Sequence, residues 1–529
     1  MRHVLILVVL SIVASQLLAA EKPDARPNIL FVFSDDHALE AISAYGGRFK
    51  DIAPTPNLDR IAREGALFEN SFCANSICGP SRACILTGKH SHVNGFRQNS
   101  DRFDGDQWCF HKDLGQVGYS TSIIGKWHLG GTPKGFDHWE IFPGQGSYYN
   151  PDFLTMDGKR HRENGYATDL VTDKAIDWLN LRDKSKPFLL MCQHKAPHRT
   201  FAPALRHLSA LDGVKFPEPA SLFDDYSTRS SVLGQNQMSI ANHLRWTYDL
   251  KVRPTEHKGI VLPGPDKGFA IEYQRMNDDQ KQAWDQHFVP LNQKFIADFQ
   301  DGKYSDRTDL TKWMYQRYMQ NYLSTIKAVD ESVGRLLAYL DDNGLTENTI
   351  VIYSSDQGFY LGEHGWYDKR WMFEESFKMP LMVRWPGVVK PGIQPQTLVQ
   401  NIDYAPTFLD VAGVAIPDEV QGRSLLPILS DAGHRPSDWR ESLYYHYYES
   451  GGEHNVPEHD GVRTDRYKLI HFIETDEWNL FDLEADPHEM NNLYDHPESK
   501  DLREQLTREL QRLRDQYQVS SEPVLEPVQ

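Results

Sequence analysis

The chain has 529 residues, of which 12% are aromatic and 25% charged, and its formal net charge is −18. The length exceeds that of one ordinary domain, and the composition is typical of a globular protein and excludes a disordered one. The acidic balance argues against binding to nucleic acid. If the substrate is an anion, the attraction has to come from a local group of cations.

The N-terminal segment predicts an export signal. Arg2 precedes an apolar run from Val4 to Ala14, and small residues follow as far as Ala20. The run is too short for a membrane span, and no later stretch reaches spanning length. We therefore expect residues 1–20 to be a signal peptide, the mature protein to begin near Glu21, and its location to be secreted or periplasmic.

Four apolar runs of strand length follow along the chain, and each ends in polar residues. They are NILFVFSDDH from Asn28, YSTSIIGKWHLG from Tyr119, PFLLMCQHKAPH from Pro187 and TIVIYSSDQG from Thr349. Continuous runs of this kind are typical of strands that a parallel sheet buries on both faces. Helical patterns lie between them, the clearest running from Leu323 to Leu340 with a stop at Asn343-Gly344. The alternation predicts an α/β domain.

Two segments depart from this alternation. Residues from about 200 to 312 have only patchy periodicity but contain recurring aromatic residues, which predicts a long ordered insertion in a domain spanning 21–439. After about Arg440 the pattern changes to short strands and turns, with a final helix that carries a stripe of leucines. Residues 440–529 are therefore predicted to form a smaller α+β subdomain.

The polar residues that end the four strands include candidates for a site. In chain order they are Asp35 and Asp36, Lys126 and His128, Lys195 and His198, and Asp356 and Gln357. The carboxyl ends of parallel strands lie at one edge of a sheet, so these side chains should converge. The aspartates and the glutamine offer only oxygen ligands, which favour Ca²⁺ or Mg²⁺ over Zn²⁺. One of the two adjacent aspartates could instead cap a helix.

The cysteines raise a further question of chemistry. There are five, Cys73, Cys78, Cys84, Cys109 and Cys192, and an odd count in an exported protein leaves at least one unpaired or chemically altered. Pro80 fits the first turn of a helix, which places Cys78 just before a helix N-terminus where the dipole and Arg82 favour negative charge. A thiolate there would be nucleophilic and readily oxidised. The alternative is a buried cysteine that acts as a small apolar residue.

The segment ICGPSRACILTGK resembles the signature C-x-P-S-R-x-x-x-[LM]-T-G of the formylglycine-dependent (type I) sulfatases. The likeness continues in the family's order through NILFVFSDDH, GKWHLG, KAPH, SSDQGFYLGEHGWYDKR and MPLMVRWPG, and so covers nearly the whole mature chain. It implies a sulfuric ester hydrolase with an alkaline-phosphatase-like α/β/α sandwich and a smaller C-terminal antiparallel-sheet domain. The sequence departs from the family at Gln357, where Asn or His is more frequent, and at Cys84, which is not part of the usual motif.

The resemblance also implies a role for each group. In such enzymes a formylglycine-generating enzyme converts the cysteine, here Cys78, to formylglycine (3-oxoalanine), an aldehyde that is held as its hydrate. A Ca²⁺ ion would be bound by Asp35, Asp36, Asp356, Gln357 and the modified Cys78.

One hydroxyl of the hydrate would attack sulfur while Arg82, Lys126 and Lys369 hold the sulfate oxygens. His128 would take the proton of the second hydroxyl, so that sulfate is released and the aldehyde re-forms. His198, with Lys369, would protonate the departing oxygen.

The substrate is less closely indicated. The motifs of the chain resemble those of bacterial polysaccharide sulfatases, including those similar to N-acetylglucosamine-6-sulfatases. This resemblance favours a sulfated carbohydrate as the substrate, and a 6-sulfate in particular. We expect the substrate-binding groups to be Trp366, stacking on a sugar ring, and His446, His454, His459 and Arg463, donating hydrogen bonds. Two alternatives stay open: a phosphonate or phosphate monoester hydrolase of the same superfamily, and a catalytically inactive relative that binds glycans.

Overall fold

The computed structural model describes residues 26–257, 259–265 and 271–519. The predicted signal peptide, residues 1–20, lies outside this part of the chain. None of the described helices is both long enough and apolar enough to cross a membrane.

A nine-stranded sheet forms the centre of the described structure, in the order β2-β12-β9-β1-β8-β4-β5-β6-β7. Its strands are β1 Asn28–Asp35, β2 Ala66–Phe68, β4 Ser120–Lys126, β5 His138–Phe142, β6 Asp152–Thr155, β7 Arg160–Arg162, β8 Phe188–Pro197, β9 Thr349–Ser355 and β12 Leu381–Arg384. The four predicted strands, β9, β1, β8 and β4, are neighbours and pair in parallel, which confirms the prediction. Every residue of β1 is buried because helices cover both faces of the sheet.

The helices divide between these two faces. Their bounds are α1 Pro56–Arg63, α2 Cys78–Thr87, α3 Ser91–Asn94, α4 Phe110–Gln116, α5 Ala167–Leu181, α6 Ile240–His243, α7 Ile271–Arg275, α8 Asp278–Gln300, α9 Arg307–Asp342, α10 Glu374–Phe377, α11 Tyr404–Val411, α12 Leu426–Ser430 and α13 Lys500–Gln516. Helices α1, α5 and α9 pack with Leu30 and Val32 on one face. Helices α2, α4 and α11 pack with Phe31 and Phe33 on the other. The domain is therefore an α/β/α sandwich, as expected.

The described residues of the predicted insertion pack against the first half of α9. This helix has 36 residues and begins at Arg307, well before the Leu323 where the periodicity becomes clear, and it ends before Asn343 as predicted. Its early turns bury residues such as Met314 and Tyr318 against Trp246 and other side chains of the insertion. Asp306 caps the N-terminus by accepting a hydrogen bond from the Thr308 backbone at 2.8 Å.

The C-terminal segment forms a four-stranded antiparallel sheet, β14-β15-β16-β17, as predicted. Its strands are β14 Ser442–Tyr447, β15 His459–Thr464, β16 Tyr467–Phe472 and β17 Glu477–Asp482, and the short strands elsewhere are β3 Ser71–Phe72, β10 Tyr360–Leu361, β11 Tyr367–Asp368 and β13 Val399–Gln400. Leu506, Leu510 and Leu513 of α13 pack on one face of this sheet. The other face contributes Tyr445 and Ile470 to the core of the large domain.

Candidate active site

Three carboxylates lie together at the carboxyl edge of the central sheet. Asp35 ends β1, Asp36 follows it with a left-handed backbone (φ 65°), and Asp356 follows β9. The register pairs Ser34 with Ser355, so Asp35 and Asp356 are level across the two strands. One oxygen from each carboxylate lies within 4.8 Å of the others, and all three residues are fully buried. The four parallel strands thus produce the convergence that the sequence predicts.

This acidic cluster fits a hard cation. Burial raises the pKa of Asp36 to about 8 and that of Asp356 to about 6, because the charged form loses hydration and neighbouring carboxylates repel it. Asp35 Oδ1 and Gln357 Oε1 are buried without a hydrogen-bond partner. Two oxygens therefore lack a partner, next to carboxylates whose negative charge is disfavoured by burial. A bound Ca²⁺ or Mg²⁺ would coordinate these oxygens and stabilise the negative charge.

Each carboxylate of the cluster also has its own cation. Lys126 Nζ forms an ion pair with Asp35, Lys369 Nζ is 2.8 Å from Asp36 Oδ1, and Arg82 Nη2 is 3.0 Å from Asp356 Oδ2. Burial opposes ionisation of Asp35, but Lys126 and the neighbouring cations outweigh it and hold the pKa of Asp35 well below its usual value. The three cations therefore converge on one small volume inside a protein of net charge −18, which is the local attraction that an anionic substrate requires.

Cys78 lies beside these groups with 1% of its surface exposed. The sequence places it just before a helix, whereas α2 begins at Cys78 itself after an extended Ile77. Burial raises the pKa of the Cys78 thiol, and the nearby Lys369 and Lys126 do not offset this, so an unmodified Cys78 would stay protonated. All five cysteines are unpaired.

The residue after Cys78 has to be small. A Cβ atom on Gly79 would lie 2.6 Å from Phe96 Cε1 and 2.9 Å from Asn99 Oδ1. The Gly79 backbone N–H donates to Asn99 Oδ1 at 3.1 Å. This close contact fixes the first turn of α2 and therefore the position of Cys78.

Two histidines face the same volume. His198 Nδ1 donates to the Arg199 carbonyl at 2.6 Å, and its Nε2 is 3.7 Å from Asp36 Oδ2. His128 has a left-handed backbone (φ 56°), and its Nδ1 is buried without a hydrogen-bond partner. Burial, reinforced by Lys126, lowers the pKa of both rings, so both are neutral at neutral pH. A neutral imidazole can accept a proton.

Residues that the sequence analysis did not single out support this constellation. Gln193 Oε1 accepts a hydrogen bond of 2.7 Å from Arg82 Nη1. The Tyr322 hydroxyl donates to the Asp36 carbonyl at 2.6 Å, and the Ser81 hydroxyl donates to the Asp356 carbonyl. Gln193 lies within the third strand run and could have been selected by its polarity there, whereas Tyr322 belongs to a helical pattern that gives no such signal.

The structure corrects four of the five predicted substrate-binding residues. Trp366 is fully buried, with Nε1 donating to the Tyr226 hydroxyl at 2.6 Å, so it cannot stack on a sugar. His459 is also fully buried, and Nδ1 bonds to the Pro457 carbonyl at 2.8 Å.

The other two corrected residues lie on strands of the C-terminal sheet and already have partners. The ring of His446 stacks on Tyr448 with centroids 3.7 Å apart and bonds to Glu458 at 2.9 Å. Arg463 is 4% exposed and lies 3.3 Å from Glu374.

His454 is the one predicted substrate-binding residue that lies next to the candidate active site. Its Nε2 is 3.1 Å from Asp368 Oδ2, and its Nδ1 is 2.9 Å from the Gln237 carbonyl. Asp368 in turn precedes Lys369 and accepts a hydrogen bond of 3.0 Å from the Lys369 backbone. His454 therefore joins the C-terminal segment to the loop that carries Lys369.

Comparison with known proteins agrees with this geometry. The family model "Sulfatase" matches residues 27–414, and the model "N-sulphoglucosamine sulphohydrolase, C-terminal" matches residues 362–516. The chain belongs to the sulfatase family. It is accordingly a sulfuric ester hydrolase.

Individual sulfatases resemble the chain to different degrees. It is 48% identical over 496 residues to an N-acetylglucosamine-6-O-sulfatase of Bacteroides thetaiotaomicron, which covers 93% of this chain and 87% of that protein. It is 26% identical to the human N-acetylglucosamine-6-sulfatase, over 80% of this chain and 68% of the human one. A solved structure in complex with its substrate D-glucosamine-2-N,6-O-disulfate superposes with a TM-score of 0.89 at 47% identity, covering 95% of this chain and all of that one.

Proposed function

We propose that this sulfatase hydrolyses the 6-O-sulfate ester of a glucosamine-type sugar, such as 6-O-sulfated N-acetylglucosamine, in a sulfated glycan. The observation that carries the proposal is the set of three buried carboxylates, each paired with a separate cation, around residue 78. The sugar is inferred from the 48% identical relative and from the substrate bound in the similar solved structure.

Two groups that the chain does not itself encode complete the proposed site. Asp35, Asp36, Asp356 and Gln357 would hold Ca²⁺ together with residue 78, and the ion would supply Lewis acidity and positive charge to a sulfate oxygen. Formylglycine at position 78 would supply, as its hydrate, the nucleophilic oxygen and a second hydroxyl for the release of sulfate. The high pKa of the unmodified thiol argues against Cys78 acting as a thiolate.

The side chains divide the remaining work. Arg82, Lys126 and Lys369 bind and orient the sulfate oxygens, and their charges stabilise the negative charge that grows on those oxygens. His128, neutral and with a free Nδ1, accepts the proton from residue 78. His198 and Lys369 would face the departing sugar oxygen. His198 can donate a proton from Nε2 only as the imidazolium, because its Nδ1 proton is committed to the Arg199 carbonyl, and the negative charge of a bound sulfate ester would favour that form.

The proposal includes the setting of the enzyme. Residues 1–20 would direct export, and the mature protein would be secreted or periplasmic. A formylglycine-generating enzyme would be its partner during maturation. The boundaries 21–439 for the catalytic domain and 440–529 for the C-terminal subdomain belong to the same proposal.

A panel of defined sulfated sugars tests the function. The exported protein should release sulfate from N-acetylglucosamine 6-sulfate faster than from the 3-sulfate or from galactose 6-sulfate, and faster than it cleaves phosphonate monoesters. Preferential cleavage of phosphonates would favour the hydrolase of the same superfamily, and tight binding of the sugar without release would favour an inactive glycan-binding relative.

Replacement of the cysteine tests the proposed nucleophile. Cys78→Ala should abolish sulfate release without unfolding the protein, since the side chain is small and buried. Cys84→Ala in the same helix is the matched control and should retain release, because Cys84 packs with Ala74 and Ile402 away from the carboxylates. Normal turnover by Cys78→Ala, or an intact thiol at position 78 in fully active protein by peptide mass analysis, would refute the proposal.

A further inference from the structure

A second cavity lies outside the candidate active site. It has a volume of about 270 Å³ and opens between α8, the first half of α9 and the loop 211–216. Three features of its wall are relevant: a buried arginine, a pair of lysines and a group of aromatic rings. None of these residues takes part in the site around Cys78.

The arginine is Arg317, which is 6% exposed and lines the cavity. Its Nη1 donates to Asn292 Oδ1 at 3.2 Å and approaches the Leu250 carbonyl at 3.5 Å. Its Nε and Nη2 have no hydrogen bond to any described residue, and no described carboxylate forms an ion pair with it. Most buried guanidinium groups are paired, because an isolated buried charge is costly.

The missing partner affects the ionisation of Arg317. Burial lowers the pKa of Arg317 to about 10, and the more distant carboxylates of Glu256 and Asp212 do not offset it. The group still carries its proton at neutral pH. A buried cation without a carboxylate is what an anionic ligand would complement.

The two lysines stand at the wall of the same cavity. Lys294 Nζ and Lys303 Nζ are each 3.0 Å from the same carboxylate oxygen, Asp298 Oδ2. With Arg317, the lining therefore holds three cations and one carboxylate. The lysines are largely exposed and share one carboxylate, and Asp212 lies beside the lining residues, so Arg317 provides the main local attraction for an anion.

The aromatic residues give the cavity flat apolar walls. Phe295 and Trp313 stack with ring centroids 3.8 Å apart, and Tyr304 lies 5.6 Å from Phe295. The Arg317 guanidinium lies 5.3 Å from the centre of the Trp313 ring. Apolar rings beside a few polar groups are typical of a small-molecule site, and the cavity is of a size for one monosaccharide.

We propose that this cavity is a second binding site for a sulfated sugar unit, with the sulfate bound by Arg317 and the ring against the aromatic wall. The choice of a sulfated sugar among anionic ligands rests on the proposed function. Helix α9 also carries Tyr322, whose hydroxyl contacts the Asp36 carbonyl. Arg317 precedes Tyr322 by five residues, or ~7.5 Å along the helix axis, so the same helix supports both sites.

Calorimetric titration of N-acetylglucosamine 6-sulfate into Cys78→Ala protein tests the proposal. We expect a binding event that depends on Arg317: Arg317→Gln in the Cys78→Ala background should weaken it at least tenfold. Arg335→Gln is the matched control, because Arg335 lies on the same helix but pairs with Asp173 at the surface. It should leave every binding event unchanged, and unsulfated N-acetylglucosamine should not produce the Arg317-dependent event.

A second variant guards against misfolding of Arg317→Gln. Val214→Trp should fill the cavity, of whose wall Val214 is part, while leaving Arg317 in place, and it should remove the same event. Titration curves that neither Arg317→Gln nor Val214→Trp alters would overturn the proposal. Failure of the proposed function is separate: wild-type protein would then release no sulfate from the probe, yet the Arg317-dependent event would persist.

Discussion

At the scale of single residues, Arg82 makes four hydrogen bonds within the site. Its Nε and Nη2 lie 3.2 and 3.0 Å from Asp356 Oδ2, and its Nη1 donates to Gln193 Oε1 and to the Lys126 carbonyl. Because hydrogen bonds hold nitrogens on both sides of the guanidinium, the group has a single orientation. A lysine, with its single ammonium group, could not make the same set of bonds. Gln193 is therefore a positioning residue for Arg82.

Loss of the Gln193 acceptor should lower turnover. Gln193→Met keeps the length of the side chain but leaves Arg82 Nη1 with one acceptor fewer, and we expect kcat to fall by about 10- to 100-fold, the usual effect of removing a partner that orients a ligand. KM should change less. Steady-state kinetics on N-acetylglucosamine 6-sulfate measure both, and an unchanged kcat would contradict the positioning role.

At the scale of elements, His364 connects the insertion to the catalytic domain. Its Nδ1 lies 3.1 Å from Asp224 Oδ2 in the insertion, and its Nε2 lies 3.7 Å from Glu375 Oε2 in α10. Burial opposes protonation of the ring, but the two carboxylates outweigh it and raise the pKa of His364 to about 9. The imidazolium therefore stabilises the contact between two segments that are distant in sequence.

This contact predicts a pH-dependent stability. A histidine whose pKa is raised by folding contributes stability that is complete below its unfolded pKa of about 6.5 and is lost as the pH rises through about 9. The free energy of unfolding should therefore fall over this window by more in the wild type than in His364→Gln. His434→Gln, at an exposed position, is the control and should follow the wild type. Parallel curves for wild type and His364→Gln would contradict the assignment.

The elements also show what the sequence could predict. The four strand runs are continuous and apolar because β1, β4, β8 and β9 are buried in the sheet, so their parallel direction and polar ends could be predicted. Their order in the sheet could not be predicted from these runs. The start of α9 could not, because its first turns are buried against the insertion and mix aromatic with polar residues. The periodicity of one strand does not reveal which face of its sheet packs against the rest of the protein. His459 and Arg463 lie on the inward face of β15, so they do not line the pocket as the sequence predicts.

At the scale of the whole molecule, Lys468 joins the C-terminal sheet to the catalytic domain. Its Nζ lies 2.8 Å from Glu374 Oε1 of α10 and 2.7 Å from Glu489 Oε1. Lys468 and Glu489 are fully buried. Burial raises the pKa of Glu489 to about 7, although Lys468 favours the charged form of that carboxylate.

Removal of this lysine should destabilise the protein as a whole. Lys468→Met leaves the buried Glu489 without its cation and removes one of the cations beside Glu374, and breaking a buried pair costs about 3–5 kcal/mol. Arg466→Met, two residues earlier in the chain, removes a surface pair with Asp482 and should cost far less, because water solvates and screens an exposed pair. Denaturant unfolding of both variants measures the two losses of stability. Equal losses would show that the buried pair contributes no more to the free energy of unfolding than the surface pair does.

The acidic cluster predicts a response of the whole molecule to divalent cations. Ca²⁺ that binds only the folded state at 100 times its Kd adds about 2.7 kcal/mol to the free energy of unfolding. Chelation with EDTA should therefore lower the Tm and stop sulfate release, and added Ca²⁺ should restore both. Asp36→Asn should have a Tm that no longer responds to Ca²⁺, whereas Asp301→Asn, at an exposed position outside the cluster, should respond as the wild type does.

The burial of α2 has a consequence for the order of the proposed maturation steps. All ten of its residues are buried, and Cys78 has 1% of its surface exposed. An enzyme that recognises this segment as an extended peptide cannot reach it once the α/β/α layers have closed over it. The oxidation proposed for Cys78 therefore has to happen while the nascent polypeptide is still unfolded, and a chain that folds too early would be locked permanently in an inactive thiol form.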